Sequence, residues 1–373
     1  MKYFYSFDEL SIPFWIKALY WGLYLGVFVY AVWKTLLSST KHGRQKEFAG
    51  LFTALFIVFF SLYAVFYCIN PDYFRYRDWM NVDSIDLWEK EDFYIYTVLF
   101  CMSLPFDYPF EVFRMIVWGG AVCIVYLTYR IHRELLLPGL ALLLLFVFYA
   151  GTFCYGRASL AMAVYFLGIA LYFNCKGFLW KIPCIMIAIS SYFFHHEMII
   201  GIALLPCLFI PFERKRYAFL SIFLLLIAII SLSFISSNLQ FLDQMFDNDE
   251  LTDKIEEFNE KGQGAFRLST LVKYLNFFYP FYLITTCFWK RNIPHMVAVM
   301  YRITYGILMV SVAFMVVTGT RSVFSYRVMY ISMIPMTLMI AFGYSHRYFT
   351  RKQFLILMIL ALLSNSIRFI NAQ

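Results

Sequence analysis

Residues 178–212 read FLWKIPCIMIAISSYFFHHEMIIGIALLPCLFIPF. The only charged or imidazole side chains in this run are Lys181, His195, His196 and Glu197. It forms either one long helix with His195 buried midway or two short helices hinged at the histidines. The flanking charges decide between them. Lys176 and Lys181 stand at one end, and Arg214, Lys215 and Arg216 follow the other. Basic loops beside apolar spans stay in the cytoplasm. Two such loops on one side require an even number of crossings, so the run is a hairpin with His195-His196-Glu197 at its outer turn. Each arm has only about 16 residues, short for about 30 Å of hydrocarbon, which recesses the turn beneath the outer surface.

The same pattern extends along the 373 residues. The composition is 62% hydrophobic, 21% aromatic and 14% charged, far more apolar than a soluble domain. Apolar runs at 13–37, 49–69, 111–129, 135–152, 158–174, 178–194, 197–212, 218–236, 270–289, 296–317, 328–344 and 354–370 predict an all-α polytopic membrane protein. About twelve helices (10–12) are expected, in a single membrane domain covering 1–373.

Alternate loops hold Lys41/Arg44/Lys46, Arg130/Arg133, Lys176/Lys181, Arg214/Lys215/Arg216, Lys290/Arg291 and Arg347/Arg351/Lys352. Only Glu47, Glu134 and Glu213 are acidic among them. The positive-inside rule puts these six loops in the cytoplasm and both termini outside. Residues 1–12, with Asp8 and Glu9 and no small-residue cleavage site after the first span, do not read as a removable signal peptide. The net charge of +8 reports orientation and not nucleic-acid binding, because it is spread over short loops. Eight scattered cysteines without CxxC or Cys/His spacing support neither a disulfide framework nor a zinc site.

Two outer segments are long. Residues 70–110 hold a charged stretch and then Asp92 to Cys101, which fits an interfacial amphipathic helix. Residues 237–268 carry Asp243, Asp247, Asp249, Glu250, Asp253, Glu256, Glu257 and Glu260, an acidic cap or lid.

Ionisable groups at membrane depth are costly and usually functional, and here they gather on the outer side. His195 has the chemistry of a general base. His196-Glu197 begins like HExxH, but Ile200 stands where the second histidine is required, which disfavours a metalloprotease. Arg157, beside Gly156 and Tyr155, and Arg327, beside Tyr326, offer planar forks suited to phosphate oxygens. Arg321 is a third such cation. Snorkelling toward lipid headgroups is the plain alternative for each. Arg75, Arg77 and Asp78 lie among Tyr73, Phe74, Tyr76 and Trp79, a mixture that suits sugars or an interfacial aromatic belt. No P-loop and no GxGxxG after a strand is present, so cytoplasmic nucleotide-sugar use finds no support.

The order of these pieces resembles the EpsG family of Wzy-type polysaccharide polymerases. The resemblance rests on RYRDW at 75–79, Asp92-Phe93-Tyr94, Tyr155-Gly156-Arg157-Ala158-Ser159-Leu160-Ala161, Phe194-His195 and Tyr326-Arg327. It implies a glycosyltransferase that needs no metal or other cofactor, and that joins undecaprenyl-diphosphate-linked repeat units into O-antigen, capsule or exopolysaccharide. The reaction would occur on the outer face of the bacterial inner membrane, with a chain-length regulator as a possible partner and no nucleic acid. His195, Arg157, Arg327 and Asp78 would be catalytic. Arg77, Arg75, His196, Glu197, Tyr155, Arg321 and Tyr326 would bind substrate. The rival classes are a lipid-linked oligosaccharide flippase and another outward-facing transferase, such as an O-antigen ligase or an acyltransferase.

Overall fold

In a computed structural model, residues 14–33, 76–77, 79–80, 90–105, 108–132, 135, 138–153, 155–214, 268–289, 293–318, 323–370 and part of 216–231 are described. Cys154 lies outside this set, as do the expected span 49–69, the acidic segment 237–268 up to residue 267, Arg75, Asp78 and Arg321. Among the described residues the chain is helical, without strands. Three helices there are long and apolar enough to cross a membrane: Pro109–Ile131, Gly156–Asn174 and His295–Val316. Six shorter apolar helices accompany them. Phe178, Leu179 and Trp180 are more than two-thirds exposed on one of these, Phe178–Ser190. Such a surface would be an aggregation hazard in water and is ordinary in lipid.

The chain forms two compact units, Met1–Ile202 with Ile340–Gln373, and Ala203–Met339. In the first unit we label four helices: α1 (Asp92–Ser103), α2 (Pro109–Ile131), α3 (Gly156–Asn174) and α4 (Phe178–Ser190). Helix α3 is central, and its small residues Gly156, Ser159, Ala161, Ala163, Gly168 and Ala170 are buried. Small residues let helix backbones approach closely within a membrane. A Cβ on Gly168 would lie 2.4 Å from the Ala188 backbone nitrogen on α4.

The break at the histidines is the expected one. Helix α4 tightens into a 3-10 turn at Ser191–Phe193, His195 is extended, and a second 3-10 turn covers His196–Met198 before helix Ile199–Ala203. The Tyr165 hydroxyl of α3 donates to the Gly201 carbonyl at 2.5 Å. Residues 188 and 201 would stand about 20 Å apart in one straight helix. Both instead meet α3 within one turn, at Gly168 and Tyr165. The chain therefore folds back at the histidines.

The remainder of this unit is pinned by a buried polar knot. Helix Pro138–Phe153 is kinked at Tyr149. Beside the kink, Asn365 donates to the Val147 carbonyl at 2.9 Å, and the Tyr24 hydroxyl donates to the same carbonyl at 2.9 Å. A buried carbonyl near a kink needs such donors where water is excluded.

In the second unit, Arg302 on helix His295–Thr318 grips Glu213 through two nitrogens, at 3.0 and 2.6 Å. Its third nitrogen donates to the Leu208 carbonyl at 3.0 Å. This fork fixes the segment 205–213 against the helix.

His132 follows α2 in the Arg130/Arg133 loop and is 1% exposed. Burial pulls its pKa from the usual 6.5 down to about 4. The unfolded chain thus takes up this proton first as pH falls, so the contribution to stability is complete above pH 6.5 and is lost between 6.5 and 4. The loss should reach roughly 3 kcal/mol and should vanish in His132→Phe, read as thermal midpoint against pH. Gly168→Ala should lower that midpoint by ~1–3 kcal/mol or more of stability, because backbone cannot rotate aside. Gly26→Ala, with nothing within 4 Å of the added carbon, should leave it unchanged or slightly higher.

Candidate functional site

The site in the first unit rests on a wall of aromatic rings. Tyr76, Trp79, Tyr94, Phe113 and Trp118 are all buried. Tyr76 meets Trp79 edge-on at 4.8 Å and Trp118 at 5.7 Å, and Trp79 meets Phe113 at 6.2 Å. Edge-to-face contacts of this kind favour fixed ring positions. Helix α2 supplies Trp118 from a π-helical turn, Met115–Gly119. Such turns interrupt regular helices and often occur at functional sites.

Arg157 is the second residue of α3, placed there by Gly156. A Cβ at Gly156 would lie 2.7 Å from the Trp118 ring, so only glycine lets the indole cover the start of the helix. The Arg157 guanidinium lies 5.5 Å from the Trp79 ring centroid, within cation–π range. It donates from Nη1 to Glu91 Oε2 at 2.9 Å. Tyr94 adds a bond from its hydroxyl to the Arg157 carbonyl at 3.4 Å.

Glu91 caps α1 in an extended conformation, and its carbonyl accepts from the Tyr94 N–H at 2.8 Å. Beside it, Phe93 packs on Phe194 at 4.6 Å, bringing the start of α1 to the histidine turn. The other Glu91 oxygen, Oε1, lies 3.7 Å from His195 Nδ1, and His195 Nε2 lies 3.6 Å from Glu197 Oε2. The imidazole therefore stands between two carboxylates. Side-chain exposure rises from 5% at Glu91 through 17% at Arg157 and 18% at His195 to 27% at Glu197. Nδ1 of His195 is fully buried. A substrate arriving from the open side would meet Nε2 and Glu197 before it met Glu91.

The two adjacent histidines separate clearly. His196 is exposed and packs on the Tyr192 ring at 4.9 Å, while His195 faces the carboxylates. Tyr155 is half-buried and caps α3, its carbonyl accepting from the Ser159 N–H at 2.8 Å. Arg77 is half-buried beside Tyr76 in the chain, and its carbonyl accepts from the Met80 N–H at 3.0 Å. Arg327 and Tyr326 belong to the second unit, on helix Val323–Tyr330. Arg327 is exposed there, and Tyr326 stacks on Tyr274 at 4.7 Å with Lys273 5.7 Å from its ring centroid. Among the described residues no group of three or more His, Cys, Asp or Glu is arranged to hold a metal ion.

Glu91 is the residue of this cluster that sequence reasoning missed. Lys90-Glu91-Asp92 reads as part of a solvated charge run, yet Glu91 alone turns inward. No signal local to this run marks it.

The profile described as EpsG family matches residues 50–371 of this chain. No curated protein and no solved structure matches it.

Arg157→Leu should cost about 3–5 kcal/mol, because it strands a buried carboxylate without its cation. Replacing both Arg157 and Glu91 by leucine should recover part of that loss. Thermal unfolding of the single and double variants measures this, and equal losses in both would disprove the coupling.

Proposed function

The chain belongs to the EpsG family, polysaccharide-polymerase-like membrane proteins, and we propose that it polymerises undecaprenyl-diphosphate-linked oligosaccharide repeat units. The observation that carries this reading is the meeting of Arg157 and His195 on one buried carboxylate. These two residues come from separate parts of the chain, the start of α3 and the extended histidine turn, and the family resemblance marks both of them. The orientation given by the basic loops would put their site on the outer face of the cytoplasmic membrane.

In the proposed reaction, a hydroxyl on the sugar end of the incoming unit attacks the anomeric carbon that links the growing glycan to its lipid diphosphate. The new glycosidic C–O bond forms as the bond to the diphosphate oxygen breaks. That oxygen keeps the electron pair, and undecaprenyl diphosphate leaves. His195 Nε2, on the open side of the imidazole, takes the hydroxyl proton. Arg157 opposes the negative charge that develops on the leaving group, and Arg327 is assigned a second contact with a diphosphate. Asp78, Arg77 and Arg75 are assigned to orienting sugar or diphosphate, and Tyr155, Glu197, His196, Tyr326 and Arg321 to binding substrate. The glycosyl diphosphate already stores the energy of the new bond, so the scheme needs no nucleotide.

Surface glycan from cells lacking the gene should collapse on a gel from a ladder to one repeat unit. Loss of every band, the single unit included, would point to a flippase or a ligase instead. Restoring the gene with His195→Ala or Arg157→Lys should leave polymer down at least ~100-fold, the usual weight of a general base or an oriented donor. A full ladder from stably expressed copies of both variants would remove these residues from the mechanism.

A further inference from the structure

We infer that Glu91 is a positioning residue that couples Arg157 to His195, an inference that rests on the polymerase reading for its activity but not for its geometry. Three observations carry it. The Glu91 side chain is 5% exposed, too enclosed to be a surface charge. One of its oxygens receives Arg157 Nη1 at 2.9 Å. The other faces His195 Nδ1 at 3.7 Å, on the fully buried edge of the imidazole.

The direction of the coupling follows from charge. A carboxylate this enclosed is stable only when paired, and Arg157 provides the pair. Held ionised, Glu91 can only accept a hydrogen bond, so it favours the imidazole tautomer that carries its proton on Nδ1. That tautomer leaves Nε2 as the basic nitrogen, on the side open to substrate. When Nε2 takes the hydroxyl proton, the resulting imidazolium gains an anion at its back. A buried carboxylate plays the same part behind the histidine of serine hydrolases, without ever taking the proton. The 3.7 Å separation is longer than a hydrogen bond, and a shift of under about 1 Å would close it. Catalytic contacts commonly tighten in this way when substrate binds.

Glu91 is also held from three sides. The Tyr94 N–H donates to its carbonyl, Phe93 locks α1 to Phe194 of the histidine turn, and its partner Arg157 lies 5.5 Å from the Trp79 ring centroid. The charged groups around His195 are Glu91 at its buried nitrogen and Glu197 at its open one, with Arg157 beyond Glu91. Each end of the imidazole therefore has a separate partner. The inner one is tied to Arg157, a cation that the mechanism also uses.

The test uses the purified full-length chain and membranes from cells lacking the gene, which accumulate lipid-linked repeat units. Polymer formation is measured for the unsubstituted chain and for Glu91→Gln, His195→Ala and the double variant. Glu91→Gln should slow polymerisation on the order of 100-fold or more. The same change should slow the His195→Ala background less than about 3-fold, because a residue acting through His195 has nothing left to act on. Equal slowing in both backgrounds, or Glu91→Gln within about 3-fold of the unsubstituted chain, would overturn the inference. If Glu91→Gln does not fold, Glu91→Asp serves in its place. Its carboxylate is one methylene short of spanning both partners, and the same dependence on His195 is expected.

Labelling with diethyl pyrocarbonate gives a readout independent of polymer. The reagent attacks unprotonated imidazole, and loss of a neighbouring carboxylate weakens an imidazole's hold on its proton. At mildly acidic pH, His195 should therefore label several-fold faster in Glu91→Gln, relative to exposed His196 on the same peptide. An unchanged ratio would separate Glu91 from His195. No polymer from the unsubstituted chain would sink the polymerase reading instead, and the labelling ratio would still decide the coupling.

Discussion

Where Gly168 meets Ala188, one helix backbone touches another with no side chain between them. The site depends on that approach. It holds α4 against α3 and so sets where α4 runs out into the histidine turn. One turn away on α3, Tyr165 ties the returning arm through Gly201. At the start of the same helix, Gly156 admits the Trp118 ring and so places Arg157. Between lipid and protein there is little hydrophobic gain from bringing helices together, so close packing and hydrogen bonds must supply it. The small residues of α3 provide the first and Tyr165 the second.

The hairpin at His195 could be read from the sequence because it follows from charge and length, two properties that need no knowledge of packing. Lys176 and Arg214 on its flanks were enough. A break in the helix lies at the expected residues, and the chain returns along α3. The order of family-like motifs was legible for the same reason, since order along the chain survives without coordinates. The family match over residues 50–371 agrees with it.

Glu91 was not legible, because nothing local distinguishes it from Lys90 and Asp92 on either side. Its burial comes from Phe93 docking on Phe194, a contact between residues about a hundred positions apart. The choice between His195 and His196 is of the same kind. Adjacent residues at the end of a helix differ in direction, and only the extended backbone of His195 decides which ring turns inward. The aromatic wall is a third case. Tyr76 and Trp79 read equally as a sugar-binding surface or an interfacial belt, and only the docked elements show them edge to face with each other and with Trp118. Sequence gives each element's character, and the docking of elements assigns the partners.

The rise in exposure from Glu91 to Glu197 has a consequence for ionic strength. Mobile ions screen charges that they can surround, over about 8 Å at physiological salt. They can reach Glu197 at the rim but not the enclosed contact between Glu91 and Arg157. The inner pair is therefore screened much less than the rim carboxylate as salt rises. The charge arrangement is thus held in a layer that dissolved ions do not enter.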